Sequence, residues 1–277
     1  MRIHIIYDTP GWARYNLAKS LQKYAPTSTR ITHSTRLNAD ARHAHVILNM
    51  NFHLSPKYYP KRHKSKFVTN IDVSWPTVLI QEVKDAFRAS DYVVINNRQL
   101  YRYLGEPPNC SVIEEGVDLD LFYDEGKPRR DMALWCSSEF HKTLKGYDLA
   151  QTLPFVECLV SSSYQAVKSR DEMREWYNTA KVFLVLSDSD GTPNPGLESA
   201  ACGCVPISTP VGVMPSLIVH GFNGFLVAKK EPIVIKHYFQ HVIDHYETYQ
   251  ANIKNTIDCW SWQTQAQKYF NLFEAIL

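Results

Sequence analysis

The sequence contains no run of about 18 consecutive apolar residues, which excludes a membrane-spanning helix on hydropathy. It has little excess of either charge. Thirty Lys and Arg against 28 Asp and Glu leave +2, so the chain as a whole attracts no polyanion. A nucleic-acid or membrane contact would therefore have to come from a local patch. Six cysteines, at 110, 136, 158, 202, 204 and 259, include one close pair, Cys202-Gly203-Cys204, and no second pair at zinc-ligand spacing. Neither a zinc module nor a disulfide scaffold is indicated. No short period recurs, which removes coiled coil, collagen and repeat arrays. The opening Met-Arg-Ile-His-Ile-Ile-Tyr-Asp is too short and wrongly flanked for a signal peptide. These absences lead us to expect a soluble, cytoplasmic protein with reduced thiols and no metal site.

What is present is an ordinary globular composition, 44% hydrophobic and 21% charged, over 277 residues. That length is about twice a ~150-residue domain, so two lobes are expected. Short apolar runs alternate with amphipathic stretches, the pattern of parallel βα units. Strands are predicted over 3–7, 46–50, 67–71, 92–95 and 111–113. A first helix carries Leu17, Ala18, Leu21 and Tyr24 at helical spacing, and others fall near 77–89 and 97–104. The stretch Asp124-Glu125-Gly126-Lys127-Pro128-Arg129-Arg130 is charged, carries Gly and Pro, and reads as a linker. Beyond it come strands near 132–136, 156–160, 181–186, 204–207 and 225–227, with helices near 145–152, 170–179, 196–202 and 214–219. In the tail, Ile235, Tyr238, Phe239, Val242 and Tyr246 share one helix face. His237, His241 and His245 lie on the other, with no carboxylate or cysteine to complete a metal set, and read as a solvated face. Trp262, Ala266, Phe270 and Phe273 form a core-facing stripe. The expected class is α/β, with two Rossmann-like βαβ lobes over 1–124 and 125–255 and a closing helix over 256–277.

The segment with the most chemistry runs from 181 to 227. A buried strand ends in Ser187-Asp188-Ser189-Asp190, and Gly191-Thr192-Pro193-Asn194-Pro195-Gly196 leads into a small-residue helix bearing Glu198. In an open α/β sheet ligands bind beyond the carboxyl end of a strand, against a helix N-terminus. Backbone N–H groups and the helix dipole there suit a diphosphate. Asp190 and Glu198 flank the loop-to-helix junction and can accept hydrogen bonds from sugar hydroxyls. A plainer reading makes this a capped helix, with Asn194 as N-cap and Pro195 as first helical residue.

Asp190 to Glu198, followed by Ala-Cys-Gly, resembles the acid-x7-Glu motif of GT-B glycosyltransferases, especially the retaining nucleotide-sugar-dependent family four (glycosyl transferases group 1). Val205-Pro206-Ile207-Ser208-Thr209-Pro210-Val211-Gly212 and His220-Gly221-Phe222-Asn223-Gly224-Phe225-Leu226-Val227 resemble its next strand and turn. Val112-Ile113-Glu114-Glu115-Gly116-Val117-Asp118 with Phe122 resembles its interdomain signature. Lys145-Gly146 is similar to its phosphate-contacting pair, and Trp260-Ser261-Trp262 to the helix that in the family crosses back to the first lobe. The resemblance implies a GT-B fold with a donor cleft between the lobes. It also implies retaining, metal-independent transfer from a UDP- or GDP-sugar, with no cofactor beyond that donor. Carried over residue by residue, Glu198 binds the ribose, Asp190 the donor-sugar hydroxyls, and Lys145 with Gly191, Thr192, Pro193 and Asn194 the diphosphate. Gly11 belongs to the first glycine turn on the donor side.

Four positions depart from the family pattern. Asp190 stands where Glu is usual. Phe140 stands where an arginine is expected, leaving His141 or Lys142 as substitutes. Gly11 is single where relatives often have a pair. The family's His-Asp is Ile71-Asp72, which leaves Asp72 and His53 as candidates for the sugar and acceptor side. The expected acceptor is a glycan or glycolipid. A basic run from Lys57 to Lys66, including Lys61, Arg62 and Lys64, offers a second acceptor, DNA with hydroxymethylated bases, or contact with an anionic lipid surface. A solvated loop explains the same run. Two other readings stay open: a nucleotide-sugar 2-epimerase, and a catalytically inactive nucleotide-binding protein.

Overall fold

The computed structural model describes residues 1–8, 13–72, 80–96, 98–161 and 168–277. The chain forms two compact units, Met1–Gly116 with Trp262–Leu277, and Val117–Ser261.

The first unit contains β1 (Arg2–Ile6), α1 (Ala13–Lys23), β2 (Arg30–Ser34), β3 (Val46–Asn49), α2 (Ser55–Tyr58), β4 (Lys66–Ile71), α3 (Ile80–Arg88), β5 (Tyr92–Ile95), α4 (Arg98–Tyr103) and β6 (Cys110–Val112). The strands form a parallel sheet in the order β2-β1-β3-β4-β5-β6. The central strands read as nearly continuous apolar runs because helices cover both faces. Ile3, Ile5, Leu48 and Val68 face Leu17 and Leu21 of α1, while Ile71, Val93 and Ile95 face Val83 and Ala86 of α3. The edge strand β2 was not expected, since Arg30-Ile-Thr-His-Ser holds one apolar residue. Its polar side chains serve its neighbour instead: Thr32 Oγ1 and Ser34 Oγ lie 2.8 and 2.9 Å from the ring nitrogens of buried His4. Burial holds that imidazole below its usual pKa.

The second unit contains β7 (Arg130–Ser138), α5 (Tyr147–Ala150), β8 (Val156–Ser161), α6 (Arg170–Tyr177), β9 (Ala180–Val185), α7 (Asn194–Ala201), β10 (Val205–Ser208), α8 (Met214–Leu217), β11 (Phe225–Leu226), α9 (Pro232–Asp244) and α10 (Tyr246–Ile257). Its parallel sheet has the order β11-β10-β9-β7-β8. The chain steps from β7 outward to β8, then returns to the other side of β7 with β9. The topological switch point therefore lies between β7 and β9, and a crevice opens there beyond the strand carboxyl ends. Helix α6 starts at a capping box: Glu172 N–H donates to Ser169 Oγ at 3.2 Å, and Ser169 N–H donates to Glu172 Oε2 at 2.6 Å. Ser169→Ala is expected to cost about 1 kcal/mol, read as a lower urea midpoint at unchanged slope.

Helix α10 also went unforeseen, because its polar residues outnumber the buried stripe of Tyr246, Tyr249, Ile253 and Ile257. The final helix, α11 (Trp262–Ile276), belongs to the first unit, where Trp262, Tyr269, Phe270 and Phe273 pack with Ile3 and Ile5. The change of unit thus falls at 261/262 rather than 255/256, since Val117 N–H donates to Trp260 O at 2.9 Å within the second unit.

The expected linker at 124–130 is likewise corrected, because it lies inside the second unit. Arg129 is 3% exposed and donates to Asp124 Oδ1 at 2.7 Å, Asn178 Oδ1 at 2.8 Å and Ala180 O at 3.0 Å. Its charges are satisfied by one another and by β9, so what reads as a solvated hinge is a buried staple. Among the described residues no helix is long and apolar enough to cross a membrane, and no group of three or more His, Cys, Asp or Glu could hold a metal ion.

Candidate active site

The switch point of the second sheet is shaped by two segments, one leaving β7 and one leaving β9. After β7, residues 139–146 form tight turns in which Lys145 N–H donates to His141 O at 2.9 Å. Trp135 Nε1 donates to Lys145 O at 3.0 Å, and Asp188 N–H donates to Leu144 O at 2.9 Å, tying this turn to the segment after β9. Gly146 has φ of 81°, and a Cβ there would stand 2.8 Å from Leu186 Cβ and 3.1 Å from the Leu186 carbonyl carbon. Only glycine lets the lysine turn lie this close to the end of β9. Gly146→Ala is expected to cost about 2 kcal/mol from left-handed strain and the Leu186 clash, checked by chemical denaturation.

After β9, Ser187 and Asp190 turn into the crevice. Lys145 Nζ forms an ion pair with Asp190 Oδ2, and Ser187 Oγ donates to the same oxygen at 3.5 Å. The Asp190 side chain is 8% exposed and the Lys145 side chain 27%, so the carboxylate is enclosed while the ammonium keeps an open side. Thr209 Oγ1 donates to Ser187 O at 2.7 Å. At Gly212, φ 52°, a Cβ would meet the Gly191 carbonyl carbon at 2.8 Å. The turn after β10 therefore buttresses the acid loop directly. Together these residues border an open concavity of about 180 Å³, lined among others by Trp135, Ser138, His141, Lys145, Asp190 and Pro193.

Helix α7 begins one residue earlier than the capped-helix reading placed it. Asn194 is its first residue and Pro195 its second, while Pro193 occupies the cap position with no side-chain cap hydrogen bond. Gly196 lets the helix approach β9: a Cβ there would lie 3.0 Å from Val185 Cγ2. Glu198, half-buried one turn along α7, accepts a hydrogen bond from Tyr177 Oη at 3.1 Å. Desolvation pushes its carboxyl up to about 7, against the opposing pull of Arg170 and the Tyr177 hydroxyl. Burial also raises the Cys136 thiol, on the wall of the concavity, to about 12, so it is inert as a nucleophile at neutral pH.

Of the two proposed stand-ins for the missing arginine, His141 lines the concavity, with Nδ1 3.0 Å from Ser138 Oγ. Lys142 is drawn elsewhere, paired with Glu139 at 2.5 Å and set over the Tyr147 ring. Gly191, Thr192 and Pro193 form the loop between Asp190 and α7, and Asn194 opens that helix.

In the first unit, Asp72 follows β4 and is nearly buried. Arg14 Nε donates to both its oxygens, at 3.1 and 2.9 Å, and Arg14 Nη1 to Asp8 Oδ2 at 3.0 Å. Burial raises the Asp72 pKa, with Arg14 opposing it. Arg14 was not singled out in the sequence: a lone arginine in the first turn of an amphipathic helix carries no signal until tertiary contact supplies its carboxylates. His53 is about half exposed, with Nδ1 2.8 Å from Glu82 Oε2 and its ring against Phe52. Within the basic run, Arg62 is engaged by Asp91 at 3.4 Å and stacks on Tyr59, whereas Lys61 and Lys64 are exposed. Gly11 lies outside the described residues.

Residues 163–258 match the family model described as glycosyl transferases group 1. An uncharacterized glycosyltransferase of Methanocaldococcus jannaschii is 25% identical over 210 residues, 65% of this chain and 58% of the relative. D-inositol 3-phosphate glycosyltransferase of Frankia alni is 30% identical over 69 residues, 25% of this chain and 17% of that one. The chain thus spans less than two thirds of the length of either curated relative. Among solved structures, sucrose-phosphate synthase from Thermosynechococcus elongatus superposes with a TM-score of 0.76 at 12% identity, over 100% of this chain and 99% of that one. HepE of Anabaena, in complex with UDP-glucose, does so at 0.75 and 13%, over 99% and 100%. A group 1 glycosyltransferase model thus matches the stretch that carries Asp190 and Glu198, and the two-lobe α/β architecture along the chain is the GT-B fold of these solved structures.

Proposed function

We propose that the chain is a retaining glycosyltransferase that moves a sugar from a nucleotide-diphosphate sugar to a hydroxyl of a glycan or glycolipid. The observation that carries this reading is the Lys145–Asp190 pair at the β7/β9 switch point, eight residues before Glu198 on α7. In this reading the open side of Lys145 faces the diphosphate, with the Gly191–Asn194 loop beside it. Asp190 accepts from the sugar hydroxyls and Glu198 from the ribose. The concavity at Lys145 is smaller than the roughly 300 Å³ lower bound of ligand pockets, so it houses part of the donor. The HepE relative, determined with UDP-glucose, supports a donor of this kind.

The reaction forms a bond between the acceptor oxygen and the anomeric carbon as the bond from that carbon to the phosphate oxygen breaks. The acceptor proton passes to the departing phosphate. Lys145 stabilises negative charge that grows on that leaving group, where a preorganised cation lowers the barrier. Asp72, fixed by Arg14, and His53 serve the acceptor side. The reading includes metal-independent chemistry, no bound cofactor and a cytoplasmic setting.

A thermal-shift panel of UDP, GDP, ADP, dTDP and CDP tests the donor site. A nucleotide at about 100 times its Kd adds about 2.7 kcal/mol, several degrees for a chain of this size. The expected result is a shift with UDP or GDP that Glu198→Ala abolishes. No shift with any nucleotide would overturn the reading, and product formed from donor alone would mark an epimerase.

A further inference from the structure

The first sheet carries a second chemical feature at the opposite edge from Asp8 and Asp72, where its strands begin. Arg30 opens β2 and Arg2 opens β1, and the two are register partners. His45 precedes β3, its N–H donating to Arg2 O at 2.8 Å, and Lys66 opens β4, its N–H donating to His45 O at 2.9 Å. Of four adjacent strands, spaced about 4.8 Å apart, three thus begin with a basic side chain and the fourth is preceded by a histidine. Behind this row, Arg42 and His43 end a 3-10 turn, Ala39–His43, and Lys64 precedes β4.

Five of these side chains, Arg2, Arg42, His43, His45 and Lys64, line an open concavity of about 450 Å³, with Ala44, Ser65 and Leu277 completing the wall and no acidic side chain on it. The Arg2 guanidinium is held by one bond, its Nε donating to His43 O at 2.6 Å, and Arg2 lines the concavity. Arg30, Arg42, Lys64 and Lys66 are exposed, and among the described residues none of them forms an ion pair, so their charges are available to a ligand. Like charges gathered around one concavity repel, and a bound anion removes that repulsion. The guanidinium fork of Arg2 and Arg42 suits bidentate phosphate contact, and Lys64 adds a point charge.

We propose that this edge is a binding site for a phosphate ester, with Arg2, Arg42 and Lys64 as its principal ligands. The group is carried either on a free small molecule or on a lipid headgroup. The site is independent of the donor site in the second unit and narrows the basic-run expectation: Lys64 takes part, while Arg62 is already held by Asp91.

The test is calorimetric titration of the full chain with inorganic pyrophosphate, in a Lys145→Ala background that removes phosphate contact at the donor site. One-to-one binding is expected, weakened at least tenfold by Arg42→Gln with Lys64→Gln; both residues are exposed and unpaired, so the fold should tolerate the change. Vesicles of 30% phosphatidate in phosphatidylcholine and a 20-base-pair DNA duplex are run in parallel. Pyrophosphate binding without vesicle binding identifies a free ester as the source. Vesicle binding that pyrophosphate displaces identifies a headgroup. Absence of pyrophosphate binding, affinity unchanged by the double substitution, or duplex binding that pyrophosphate does not displace would overturn the proposal. In those cases the cations serve only solvation and the helix C-termini at that edge.

Discussion

Replacing Lys145 with alanine is expected to lower kcat by about 10² to 10³, with a much smaller change in KM for the donor. The expectation rests on where charge develops. In the resting protein the Lys145 ammonium is already paired with Asp190, a carboxylate that is 8% exposed. In the proposed reaction its value to the bound donor is therefore modest, and it grows as the diphosphate departs. Removing it has a second effect, because Asp190 is left enclosed and unpaired beside an incoming polyanion. The two effects separate in a double-mutant cycle. Asp190→Asn added to Lys145→Ala should recover stability lost through the unpaired carboxylate, yet leave kcat low. A Lys145→Ala enzyme within threefold of the parent kcat would reduce Lys145 to a structural partner of Asp190.

Glu198→Gln is expected to make the protein more stable at pH 8, by about 3 kcal/mol, while abolishing the nucleotide-induced thermal shift. The sign follows from the raised carboxyl. Unfolded, Glu198 ionises near 4.5; folded, desolvation moves it up to about 7. Between those values the folded state binds more protons than the unfolded one, so the stability contributed by this residue falls as pH rises from 4.5 to 7 and stays low above. Glutamine has no charge to desolvate and still accepts from Tyr177. The gain should shrink to about 1 kcal/mol at pH 5 and vanish near pH 4. Denaturation curves at the three pH values check this, and a gain independent of pH would contradict it. The corresponding cost falls on binding. A ribose that donates to the carboxylate favours the ionised form, so nucleotide affinity in the parent protein should weaken below pH 7, approaching tenfold per unit below pH 6.

The parallel strands and the acid-glycine loop were readable because their signals are local. Val-Ile-Leu and Phe-Leu-Val are apolar at consecutive positions, and Ile-His-Ile-Ile is broken only by His4, runs that few structures other than buried strands accommodate. Gly146 and Gly212 were readable only as members of a motif; the structure adds the reason, which is the closeness of the Leu186 and Gly191 backbones. Three features were illegible because they depend on partners far along the chain. Strand β2 is polar, its role being to satisfy His4. The stretch 124–130 reads as a linker until Arg129 is seen donating to residues near 178 and 180. Arg14 becomes a functional candidate only beside Asp72, 58 positions away. Within the expected site, Lys142 and His141 were equivalent by spacing, and a local ion pair to Glu139 separates them.

The placement of α11 has a consequence for how the protein is made. The second unit is one unbroken stretch, 117–261, whereas the core of the first needs Trp262, Tyr269, Phe270 and Phe273 to close over β1 and α1. On the ribosome the first 116 residues emerge earlier and yet must wait, their sheet bare on the α11 side until residues 262–276 leave the exit tunnel. The second unit has everything it requires sooner. Order of synthesis and order of completion are therefore reversed, and the interval between them is when the chain has most need of a chaperone.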